Sequence, residues 1–254
     1  MRSRLPLFIV FLLLFSPFSS DAASLTLSCA LGDVAAVRSS LAGGIDPNIP
    51  DEYGLLPLYC TVRAGLDAPL SMHLEILRLL VAAGAEVDAP APDGETPLVL
   101  SLRKGAPFTE VTDLLLELGA DPNGLVQGER PLDAVVRGAA SIRQLEALLS
   151  HGADVRLKNA QGCGPLISAV ASPYPSPEKV RRLLDAGADV NESFTFHGDE
   201  GATPLMAAAA QGAPELVRVL LEHGALMSLS SRSGRTARDY ALRAGREDNA
   251  TLLR

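Results

Sequence analysis

A chain of 254 residues that is 47% apolar and 20% charged has an ordinary globular balance, which excludes an extended disordered polymer and allows one or two domains. Thirty acidic against 22 basic residues give a net charge of −8, which disfavours unassisted binding to nucleic acid or anionic lipid. Trp is absent, and Phe8, Phe11, Phe15 and Phe18 account for four of the seven Phe, so the remainder must build its core from Leu, Ala and Val.

The first element has the layout of a secretory leader. Arg2 and Arg4 precede an apolar run from Leu5 to Phe15, followed by Ser16, Pro17, Phe18, Ser19, Ser20, Asp21 and Ala22. A membrane span needs about 20 apolar residues, and Pro17 stops the run short of that. Small residues at Ser20 and Ala22 predict cleavage after Ala22, with Ala23 the near alternative, and no membrane insertion afterwards. The expected division is therefore a leader over 1–22 and one folded domain over 23–254. A lipoprotein would need a Cys directly after the apolar run, and Cys29 comes too late.

Past the leader the chain repeats. Pro57, Pro97, Pro131, Pro165 and Pro204, spaced by 40, 34, 34 and 39 residues, each precede a Leu. Each Pro-Leu leads through an Ala- or Leu-rich stretch to a second Leu-rich stretch. Those second stretches end in Gly44-Ile45, Gly84-Ala85, Gly119-Ala120, Gly152-Ala153, Gly187-Ala188 and Gly224-Ala225. Thr before Pro can cap a helix, and Pro at the first helical position loses no hydrogen bond. The Gly after the second stretch supplies a left-handed helix end, and the Asp or Asn after it suits a turn. The fullest unit is Thr203-Pro204-Leu205-Met206-Ala207-Ala208-Ala209 followed by Glu215 to Ala225, in which Leu216, Leu220 and Leu221 are the predicted core.

These residues resemble the ankyrin-repeat family, and the resemblance covers essentially all of the chain after the leader. It implies an all-α ankyrin-repeat solenoid of about seven helix-turn-helix units joined by β-turn or hairpin loops. The units start near Ala23, Leu56, Thr96, Arg130, Gly164, Thr203 and Thr236. One unit cannot bury its own apolar face, so stability comes from stacking neighbours. Leu56, Arg130 and Gly164 replace the capping Thr, and those helix starts are expected to be weaker by roughly 1 kcal/mol each. The last unit, from Thr236 to Arg254, has a short polar second helix suited to a terminal cap.

Departures from the period mark candidate surfaces. Leu66 to His73 reads as an inter-helix insertion, and Ser172 to Pro177 as a Pro-rich one. The enlarged turn Glu192 to Glu200 carries Phe194 and Phe196, which either fold back on the adjacent unit or anchor a partner. The eighth position of the first helix, which faces the concave groove in this fold, is Arg63, Arg103 and Arg137 in consecutive units, and Ala171, Ala210 and Arg243 beyond. With Tyr59 and Lys104 on the same face, that row is a candidate receiver for acidic side chains of a partner.

No phosphate-cradling Gly loop with Lys, Ser elbow, His-Glu-x-x-His helix or Cys-x-x-Cys pair occurs in the sequence. No cofactor, metal or catalytic residue is therefore expected, and the chain is read as non-enzymatic. His151 and His223 precede the Gly-Ala of a helix end and read as structural. Cys29, Cys60 and Cys163 are expected to be free thiols, with Cys163 the most reactive. The resemblance extends to exported ankyrin-repeat proteins of Gram-negative bacteria. It implies a monomeric periplasmic or secreted module that binds another protein through the groove and turn tips. The partner would be a toxin neutralised by an immunity protein or an exported oxidative-stress enzyme that needs support.

Overall fold

The structure is a computed structural model that describes residues 20–64, 68–138, 141–173 and 175–254. Nearly all of the predicted leader lies outside the described residues, as do Leu66 and Asp67 of the first insertion and Tyr174 of the Pro-rich one. The chain divides into two compact bodies, one ending at Asp93 and the other beginning at Gly94.

The first body contains α1 (Ser20–Leu31), α2 (Val34–Ala42), α3 (Pro57–Arg63) and α4 (Leu70–Ala82). They form two consecutive hairpins. α1 packs on α3 and α2 on α4, so like helices stack on like. Leu25, Cys29, Val37, Leu58, Val62, Ile76, Leu77 and Leu80 fill the space between, each 2% exposed or less. The predicted insertion 66–73 is in part helix, because α4 starts at Leu70. Its extra turn places His73 on the stripe of Ile76, Leu77 and Leu80, at three-, four- and seven-residue spacing, and all four are buried.

The second body contains α5 (Pro97–Lys104), α6 (Thr109–Glu117), α7 (Pro131–Arg137), α8 (Ile142–Ser150), α9 (Pro165–Val170) and α10 (Pro177–Asp185). After them come β1 (Phe194–Phe196), β2 (Asp199–Ala202), α11 (Pro204–Gln211), α12 (Pro214–Glu222), α13 (Ala237–Arg243) and α14 (Glu247–Leu252). First helices stack in the order α5, α7, α9, α11, α13, and second helices in the order α6, α8, α10, α12, α14. Leu216 and Leu220 are buried as predicted, whereas Leu221 is only half-buried because it falls off the inward stripe.

Each second helix ends as the glycines require. Gly44, Gly84, Gly119, Gly152, Gly187 and Gly224 all have φ between 84° and 96°, and a Cβ on any of them would meet nothing within 4 Å. The glycine is thus needed for backbone conformation alone. The following turns are stapled by asparagine. Asn123 donates to Gly152 O at 3.0 Å and accepts from Asp154 N at 2.8 Å, and Asn48 makes the same pair of bonds to Gly84 and Glu86.

Helix starts follow the Thr-Pro rule with two corrections, the first at Thr203, whose side chain makes no cap hydrogen bond while its backbone N–H donates to Met206 Sδ at 3.4 Å. Thr96 caps α5 through Val99 N, Thr236 caps α13 through Asp239 N, and Leu56 and Gly164 supply no side-chain cap. α7 is not left weak by Arg130, however, because Asp133 in its first turn accepts from Arg130 N at 3.1 Å. Asp133 is fully buried and also accepts from Ser168 Oγ and, at 3.2 Å, from Asn159 Nδ2.

The enlarged turn is a two-stranded antiparallel hairpin pairing Phe194 with Ala202 and Phe196 with Asp199. His197 and Gly198 both take positive φ at its tip, which matches the twist that two-residue hairpin turns favour.

Candidate functional site

The eighth-position residues sit at the exposed ends of the first helices. Arg63 belongs to the first body, and Arg103 and Arg137 belong to the second. In the second body the arginines are engaged by the chain itself. Arg103 donates to Glu95 Oε1 at 2.8 Å and to Glu129 Oε2 at 3.1 Å. Arg137 donates to Glu129 Oε1 at 2.9 Å and to Ser168 Oγ at 3.5 Å. Glu95 and Glu129 hold the same register position, one residue before each unit's start, so acid and base alternate along stacked helices. The expected open row of positive charge is therefore an internal ladder, and an acidic partner would have to displace a carboxylate already in place. Periodicity finds this only if the position before the Thr slot is read together with the eighth.

The remaining candidates separate by burial. Lys104 lies over the Phe108 ring, its ammonium 4.5 Å from the centroid. Tyr59 is 5% exposed, because the fourth position of the unit, the third residue of α3, turns partly into the stack. Phe196 is 9% exposed and packs 6.0 Å from Tyr240 and 5.8 Å from Phe194, so the hairpin folds back on its neighbour and Phe196 offers no anchor. Phe194 remains half-buried.

What holds the hairpin is Asp199, which sequence reasoning did not single out. Its carboxylate accepts from Ser231 Oγ at 2.7 Å, Tyr240 Oη at 2.6 Å, Ser233 N at 3.1 Å and the Ser233 hydroxyl, and it pairs with Arg235 at 3.3 Å. The Ser233, Tyr240 and Ser231 donors hold that carboxyl well below the usual carboxylate range. An acid at the start of β2 opposite two serines would have been the only sequence signal.

The three thiols are unbridged. Burial pushes Cys29 and Cys60 up to about 12. Cys163 is partly exposed, but burial and the Glu192 carboxylate raise it too, against the expectation of a reactive thiol. His151 and His223 each bring Nδ1 to a helix carbonyl, Ala147 O at 2.9 Å and Val219 O at 2.7 Å. Among the described residues no group of three His, Cys, Asp or Glu side chains is placed to hold a metal ion.

The first body contains a recess that the arginine row pointed to only in part. Tyr53, Leu55, Tyr59, Arg63, Ala91, Pro92 and Asp93 line a volume of about 540 Å3 that is open to solvent. Two successive turns bring these residues together. Asp51 Oδ1 accepts from Tyr53 N and Leu55 N, both at 2.9 Å, which fixes the first turn. Gly54 lies so near Pro92 that an added Cβ would come within 2.9 Å of the ring. Tyr53 is 55% exposed, unusually high for an aromatic side chain.

The family profile for "Ankyrin repeats (3 copies)" matches residues 22–126 and 177–254. The chain is 31% identical over 237 residues to mouse ankyrin repeat and SOCS box protein 16, covering 90% of this chain and 49% of that relative. The chain spans about half the length, or less, of the curated relatives it matches. Among solved structures, the ankyrin repeat domain of Bcl-3 superposes with a TM-score of 0.73 at 26% identity, covering 89% of this chain and 96% of that one. The human ASB11 ankyrin repeat domain gives 0.68 at 24% identity, covering 94% and 98%. The relatives are eukaryotic and viral, and nothing among them points to exported bacterial proteins.

Proposed function

The chain belongs to the ankyrin-repeat family, and from that premise we propose that it is a non-catalytic module that binds another protein through the exposed ends of its first helices and the adjoining turns. Members of this family generally act as protein–protein interaction modules. The observation that carries the reading for this chain is the recess at Tyr53 and Arg63. Buried residues account for stacking, but a Tyr left 55% exposed beside a lined volume of about 540 Å3 contributes little to it. In the second body, the ladder through Glu95, Arg103, Glu129 and Arg137 favours a partner that brings both signs of charge, rather than the wholly acidic segment expected from the arginines. We read the consecutive helix pairs as seven units.

The test compares immobilised parent chain with two variants. One carries Tyr53→Ala and Arg103→Ala. The other carries Arg78→Ala, an exposed position on the second helix of its pair. A protein captured by the parent and by Arg78→Ala, but not by the double variant, supports the reading. Equal capture by all three rejects it.

Export is part of the same proposal, supported by Arg2 and Arg4 ahead of the apolar run from Leu5 to Phe15. In the described residues no helix is long and apolar enough to cross a membrane.

A further inference from the structure

Two of the chain's five asparagines stand two places before a hydroxyl residue with no proline between, in Asn191-Glu192-Ser193 and Asn249-Ala250-Thr251. That spacing is the acceptor pattern for an N-linked glycan on an exported chain. The pattern is the same at both, and their surroundings separate them.

Asn249 is 1% exposed, and its Nδ2 donates to Ala208 O at 3.3 Å and to Ala209 O at 2.9 Å. The amide nitrogen is thereby committed to two carbonyls of α11. A sugar on it would leave a buried carbonyl unpaired and would need a path out of the stack.

Asn191 is half-buried immediately before the enlarged turn, and Ser193 is exposed. It makes the same staple as Asn48 and Asn123, but only its carbonyl end is firmly held. Oδ1 accepts from Leu226 N at 3.0 Å, whereas Nδ2 stands 3.5 Å from Gly224 O, at the outer limit of a hydrogen bond. The corresponding donation is 2.8 Å at Asn48 and 3.0 Å at Asn123. Neither of those asparagines has the acceptor spacing, since Asn48 leads into Ile49-Pro50 and Asn123 into Gly124-Leu125. Among these three, the asparagine with the spacing is thus the one whose nitrogen contributes least to its staple. A glycan replaces one of the two Nδ2 hydrogens and leaves the carbonyl, with its bond from Leu226 N, in place.

We propose that Asn191 carries an N-linked glycan in the exported protein and that Asn249 does not. The donor class is an oligosaccharide joined through its anomeric carbon to a lipid pyrophosphate. A C–N bond forms between that carbon and Asn191 Nδ2, the anomeric C–O bond breaks, the lipid pyrophosphate leaves with the electron pair, and the amide proton passes to a base of the transferring enzyme. The attached group is bulky and solubilising. It stands three residues from Phe194, so the enlarged turn becomes a solvated face rather than a docking one. This rests on the export proposed from the leader, because the transfer takes place on chains that enter a compartment holding the donor.

The test expresses the full chain with its own leader in cultured insect cells, treats secreted and retained material with peptide N-glycosidase, and maps both by peptide mass spectrometry. The secreted parent is expected to lose the mass of one glycan on treatment, with a carboxylate left in place of the amide at position 191. Asn191→Gln and Ser193→Ala should both abolish that loss of mass. Ser193→Ala keeps the asparagine staple, so it removes the glycan while the circular dichroism of the fold stays that of the parent. Thr251→Ala, at an exposed position, should lose the same mass as the parent. Secreted protein that loses no mass would overturn the inference and leave export standing. A glycan at Asn249 would also overturn it, because burial would then not choose between the two sites. Protein retained in the cells without a glycan would reject the export proposal and this inference together.

Discussion

Leu220 is wholly buried between α12 and its neighbours, so Leu220→Ala removes apolar contact and leaves a cavity that a stacked repeat cannot fully close. The expected loss is about 2–5 kcal/mol, measured by urea denaturation. A loss under about 0.5 kcal/mol would place that helix in the wrong register. Gly152 tests a different force. With φ at 86° and open space where a Cβ would go, Gly152→Ala should cost about 1–2 kcal/mol through the left-handed backbone alone. Glycine here is a backbone requirement rather than a packing one, which is why it was legible in the sequence.

At the scale of the element, the hairpin β1–β2 depends on one carboxylate. The Asp199 pKa is depressed on folding, so its contribution is fully present above the unfolded value near 3.9 and is lost as pH falls below it towards the folded value. The expected outcome is a parent whose urea midpoint drops between about pH 4 and pH 2 more than that of Asp199→Asn. A pH dependence identical in both would remove Asp199 as the latch. A second latch is Lys179, buried on α10, which donates to Val135 O at 2.7 Å and Gly138 O at 3.1 Å and so closes the end of α7. Burial lowers its pKa, and the two carbonyls satisfy the ammonium. Lys179→Met leaves those carbonyls unpaired, with an expected cost of about 1–3 kcal/mol by chemical denaturation. No change would mean that water replaces the ammonium there.

For the molecule as a whole, the beginning of the folded part can be measured. Cleavage after Ala22 removes residues that α1 uses, since α1 spans Ser20–Leu31, Ala22 is buried and its carbonyl accepts from Thr26 Oγ1 at 3.1 Å. N-terminal sequencing of exported material should begin at Ala23 or Ser24, with α1 shortened by its first turn. Exported protein that still carries Phe8 and Phe11 would overturn the leader assignment.

Repeat identity, helix starts at Thr or Pro, and helix ends at glycine were all readable from the chain, because each depends on one residue's backbone preference recurring at a fixed period. The terminal cap was readable only in part. Its polarity is written in Glu247 to Thr251, but Asn249 reaching the carbonyls of Ala208 and Ala209 is a contact across about 40 residues. Helical spacing places Arg103 and Arg137 at exposed helix ends, but only stacking brings Glu95 and Glu129 from different turns against them. Phe194 and Phe196 follow the same division. Composition marks a turn with two aromatics as unusual, and whether they face solvent or Tyr240 is settled by Asp199 finding its donors on the following unit. Tyr53 and Pro92 lie 39 positions apart on separate turns, and nothing local joins them. The sequence by itself determined the family and the backbone of the helix ends, because these follow from local preference repeated. Tertiary structure alone decided which charges cancel, which aromatics are covered and where a recess opens, because those depend on distances between residues of neighbouring repeats.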